Sequence, residues 1–76
     1  MKIHEFIRHL APSEWGKRLI IVNYLSNPIF EGTLNNDTLT ELNREGLSTE
    51  NITLIKTGTT YIKILSERGR IENGIF

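Results

Sequence analysis

Arg18-Leu19-Ile20-Ile21-Val22-Asn23-Tyr24-Leu25-Ser26-Asn27-Pro28-Ile29-Phe30-Glu31-Gly32-Thr33-Leu34 reads as two β-strands joined by a turn at Ser26-Asn27-Pro28. Val, Ile, Tyr and Phe are enriched on both sides of that turn, where branched and aromatic side chains suit a pleated, half-buried surface. Leu19 to Val22 is apolar on both faces of its strand, so the sequence predicts packing on each side of it. Alternation sends Ile20, Val22 and Tyr24 to one side and Leu19, Ile21 and Leu25 to the other. Gly32 inside the second strand predicts a bulge or a close approach by another element.

Upstream, Ile3, Phe6, Ile7 and Leu10 fall at i, i+3, i+4 and i+7, one face of a helix. Glu5 and His9 are spaced for a contact one turn apart. Pro12 stops the helix near Leu10. At under three turns it needs the sheet to hold it, so it should cover one sheet face. Pro12 to Gly16 is a turn in which Gly16 can take a positive φ.

Downstream, Thr38-Leu39-Thr40-Glu41 fits a capping box with Thr38 as N-cap, and Asp37 beside it favours the helix dipole. Leu39 and Leu42 share a face, and Gly46 suits the left-handed residue that ends a helix. A second hairpin follows, Asn51 to Ile55 and Thr60 to Leu65, turning at Thr57-Gly58-Thr59. Its inward set is expected to be Ile52, Leu54, Ile62 and Ile64, with Lys56 and Lys63 facing water. The expected fold is therefore α+β: an N-terminal helix, then β-β-α-β-β, forming a small antiparallel sheet or a partly open barrel. Residues 1–65 make one domain, and residues 66–76 lack periodicity and read as a flexible tail. Trp15 in a polar turn and Ile75-Phe76 at the end each pose one question, whether they pack on the body or serve as an anchor for a partner.

Composition narrows the function classes. At 76 residues the chain has room for one core, and such a chain buries only about 60% of its unfolded surface. It has no cysteine, which removes disulfides and thiolate metal sites and favours a reducing cytoplasm. Nine basic and nine acidic residues cancel, leaving no overall field to attract nucleic acid or an anionic membrane. No stretch resembles a membrane span or a signal peptide.

The order of helix, Pro turn, Leu-Ile-Ile-Val, then Ile29-Phe30-Glu31-Gly32-Thr33-Leu34 ahead of a short polar helix resembles short uncharacterised proteins encoded in prophages and mobile elements of Gram-positive bacteria. Those also begin with a Met-Lys-apolar helix and carry a Phe-Glu-Gly or Phe-Arg-Gly strand before a final Ile/Val-rich strand. The likeness spans residues 1 to 65 and brings no catalytic or binding residues. It implies a phage or prophage accessory protein in the cytoplasm of a bacterial host.

No arrangement of residues points to catalysis. His4 and His9 stand five apart, about 140° around a helix, too far round to chelate one ion. Asp37 is placed to cap, the serines lie in turns or the tail, and no glycine-rich loop follows a strand. The expectation is a non-enzymatic protein-binding module without cofactor or metal, its sharper form an inhibitor of a host defence protein. The residues proposed to meet the partner are Trp15, the acidic row Asp37, Glu41 and Glu45, and Tyr61 and Lys63. One alternative is a nucleic-acid-binding small barrel using Tyr24, Tyr61, Lys56 and Lys63. Another is a structural or self-assembling phage component, and a homodimer is expected if Leu19 and Ile21 face outward.

Overall fold

The structure is a computed structural model describing residues 1–70. Helix α1 spans Ile3–Arg8, a 3-10 turn spans Pro12–Glu14, and strands β1 (Arg18–Val22) and β2 (Pro28–Thr33) follow. Helix α2 (Thr38–Arg44) leads to β3 (Ile52–Thr57) and β4 (Tyr61–Ser66). The four strands form one open sheet in the order β2-β1-β4-β3. Each hairpin is antiparallel, as the alternation implied, and the two hairpins meet through a parallel β1–β4 pair. The architecture is the α+β arrangement read from the sequence, with the sheet mixed and unclosed.

The parallel seam is reinforced beyond the strands. Arg18 N donates to Thr60 O (3.0 Å) at one end and Tyr24 N to Arg68 O (2.7 Å) at the other. Across it the hydroxyl of Ser66, fully buried, donates to Val22 O at 2.9 Å. The tail predicted from Ser66 onward thus begins with residues tied to the body. Glu67 N donates to Asn51 O, and the Arg68 guanidinium reaches both Glu50 (3.0 Å) and the Gly46 carbonyl (2.8 Å). Residues 71–76, Ile75-Phe76 included, lie outside the described residues.

One face of the sheet is covered. Leu19 and Ile21 of β1 and Ile62 and Ile64 of β4 pack with Ile3 and Ile7 of α1, Leu42 of α2, Leu34 and Leu47, all essentially without solvent contact. Phe6, Leu10 and Leu39 close its margin. A six-residue helix is too short to hold itself. The segment before β3 supplies what α1 lacks: Ile3 N donates to Glu50 O and His4 N to Ser48 O, satisfying amides that a helix start leaves orphaned. Lys2 N donates to Glu5 Oε1 at 2.8 Å, which holds the Glu5 carboxyl below its ordinary range. His9 Nδ1 donates to the Glu5 carbonyl at 2.7 Å, so the expected pairing of these two residues runs through the backbone oxygen.

Local details depart from the sequence reading for identifiable reasons. The first hairpin turns earlier than expected: the Asn23 carboxamide oxygen accepts from Leu25 N and Asn27 N, both at 2.9 Å, and Ser26 takes φ +69°. Tyr24 and Leu25 therefore belong to the turn and not to β1. The bulge in this hairpin lies between Ile21 and Val22, opposite Ile29, while Gly32 keeps regular register with Leu19. Thr38 is the first residue inside α2 and not its N-cap, which is Asp37. The buried Thr38 hydroxyl donates back to Thr33 O (3.2 Å) and accepts from Asn35 N (2.8 Å), so it fastens the approach to the helix. Gly16 and Gly46 both have positive φ, as expected, and Leu47 N closes the end of α2 on Leu42 O.

In β3 a second bulge falls between Ile52 and Leu54. The extra residue resets the alternation, so Ile52 and Ile55 pack toward the core and Leu54 turns away, 63% exposed. Leu54 was expected inside; this irregularity is why it is not.

Candidate functional site

Leu54 joins a surface that the helices leave uncovered. The register puts Ile20 and Val22 of β1, Tyr61, Lys63 and Leu65 of β4, and Leu54 and Lys56 of β3 on the same side of the sheet, opposite the core. At the end nearer the first turn they enclose a half-open cleft of about 150 Å³, lined by Val22, Ser26, Leu54, Lys56, Lys63 and Leu65. Val22 forms its floor and is only 2% exposed, although no helix lies over it.

The walls carry charge. Lys56 and Lys63 are direct cross-strand partners, which sets their Cβ atoms about 4.5–5.5 Å apart on one face, an arrangement like charges disfavour. Among the described residues neither forms an ion pair. The cations of β1 and of the segments flanking the sheet are engaged: Arg18 with Glu31 at 2.9 Å, Lys17 with Glu14 at 2.7 Å, Arg68 with Glu50 at 3.0 Å and Arg70 with Glu67 at 2.7 Å. Tyr61 shares this face, but its ring lies over Gly58, where a Cβ would collide with it. Tyr24 sits in the first turn with the Arg70 guanidinium 5.5 Å from its ring centre.

The residues proposed from the sequence fall into three places. Tyr61 and Lys63 stand on the uncovered face. Asp37, Glu41 and Glu45 recur every fourth residue along α2, exposed and without an ion pair among the described residues, on the helical side. Trp15 follows the 3-10 turn and is 38% exposed. The fold does not gather the six into one surface. Sequence reasoning missed Leu54 as a surface residue, because clean alternation placed it inward. Lys56 and Lys63 are visible in the sequence on either side of the turn, and the register makes them direct partners.

Leu19 and Ile21 are fully buried under the helices, so the condition set for a homodimer, that these two face outward, is not met. Among the described residues no group of three or more His, Cys, Asp or Glu side chains could hold a metal ion, and no helix is long and apolar enough to cross a membrane. His4 Nδ1 is buried without a hydrogen-bond partner, beside Ser48, whose hydroxyl donates to Asn43 Oδ1. Comparison with family models, with curated proteins and with solved structures finds no match to this chain.

Proposed function

We propose that the chain is a non-enzymatic binding module that docks a segment of another protein on the uncovered face of its sheet. The observation that carries this reading is the asymmetry of the sheet: both helices pack on one face, and the other keeps an apolar cleft open beside Leu54. Exposed apolar surface rimmed by polar groups marks interaction sites. The resemblance to prophage-encoded proteins supplies the setting, an accessory protein acting on a host protein.

The test is affinity capture from cells that encode the chain, with three baits: the natural sequence, Leu54→Asp and Glu41→Lys. A partner held by the natural chain and by Glu41→Lys but released by Leu54→Asp is the expected result. Release by Glu41→Lys with retention by Leu54→Asp would move the interface to the acidic row of α2 and overturn the assignment.

A further inference from the structure

Resting on that docking reading, we infer that the occupant of the cleft is an acidic, aliphatic segment of the partner. Its apolar side chain would sit against Val22, Leu54 and Leu65, and its carboxylate between the ammonium groups of Lys56 and Lys63. Charge complementarity supports this choice. Two lysines are direct partners on adjacent strands, neither within ion-pair distance of a carboxylate among the described residues, and Glu31, the acid on the same face, is taken by Arg18. An incoming carboxylate removes the repulsion, and it does so next to apolar walls, where solvent screens it less.

The same geometry argues against two other occupants. A second copy laid face to face about a two-fold axis through the cleft would set one lysine pair against the other. On this face a nucleic acid would find only Lys56 and Lys63 without an ion pair among the described residues, enough to neutralise roughly two phosphates, so counterion release would add little. It would also lack a free stacking platform, since Tyr61 is laid over Gly58 and Tyr24 carries Arg70.

The experiment is a titration of the isotope-labelled full chain, read by amide and Lys side-chain NMR shifts. The probes are the capped peptide Leu-Glu-Ile-Glu-Leu, its lysine counterpart Leu-Lys-Ile-Lys-Leu, and short oligothymidine and oligouridine. Saturable shifts at Leu54, Lys56, Lys63 and Leu65 with the glutamate peptide alone are expected. Lys63→Glu should weaken that binding on the order of five- to tenfold, and the double variant K56E/K63E should prefer the lysine peptide. Retained shift dispersion shows that each variant is folded. No saturation by the glutamate peptide at millimolar concentration, equal binding of both peptides, or tighter binding of either oligonucleotide overturns the inference. If Leu54→Asp still abolishes capture while the peptide preference is absent, the carboxylate chemistry fails and the docking face stands.

Discussion

The two faces of the sheet are built from the same strands and nearly the same residue types, yet they solve opposite problems. On the covered face Leu19, Ile21, Ile62 and Ile64 interlock with residues from both helices and exclude water. On the other, Val22 and Leu65 form an apolar strip without a layer above it, and two lysines stand where a packed core would exclude them. Apolar residues on both sides of a strand thus do not imply two cores. Here one side stabilises the fold, and the other leaves Leu54 and two lysines exposed to solvent.

That contrast is broken most directly by truncating matched positions. Ile62→Ala removes a fully buried side chain and should cost about 2–5 kcal/mol. For a chain of this size, with total stability on the order of 4–11 kcal/mol, this is a large fraction of the margin. Leu54→Ala, by contrast, should stay within about 0.5 kcal/mol. Urea denaturation of the two variants checks both, and equal losses would mean the open face is part of the core. Next in size, Thr38→Val deprives Asn35 N of its acceptor and Thr33 O of a donor while keeping the volume. A loss of about 1–3 kcal/mol is expected from the same measurement.

Smaller effects sharpen the comparison. Lys63→Glu replaces a like pair with an opposite one across β3 and β4 and should stabilise by a few tenths to about 1 kcal/mol. A rise in thermal midpoint that fades in high salt is the signature. A destabilised variant would show that Lys56 and Lys63 do not repel. The smallest effect concerns Glu5, whose carboxyl is held low by the Lys2 amide. Its contribution is present above the unfolded carboxyl pKa and disappears as pH falls through the lower folded value. An NMR titration should therefore find Glu5 below the ordinary glutamate range, and Glu5→Gln should flatten the acid limb of the stability profile slightly.

The sequence made the elements legible because local physics sets them: the Ile3-Phe6-Ile7-Leu10 face, the branched runs of the hairpins, and Gly46 at the helix end. It did not disclose the parallel seam, since pairing Leu19 with Ile62 depends on contacts far apart in the chain. Strict alternation failed at Leu54 because one extra residue in β3 inverts every side after it. It failed at Tyr24 because Asn23 bonds its own downstream amides and ends the strand early. The candidate cleft depends on that bulge and that turn. It was hidden for the same reason that Leu54 was misplaced, although its lysines were visible.

The junction of β1 with β4 also governs how the chain must assemble. Its partners are separated by most of the described sequence, so of the three strand pairings this one costs the most chain entropy to close and should limit the rate of folding. During synthesis Leu19-Ile20-Ile21-Val22 emerges long before Tyr61–Ser66, and until then the inner edge of β1 has no neighbour. A ribosome paused between the hairpins would hold out an unprotected apolar strand, the kind of edge that recruits other nascent chains or chaperones.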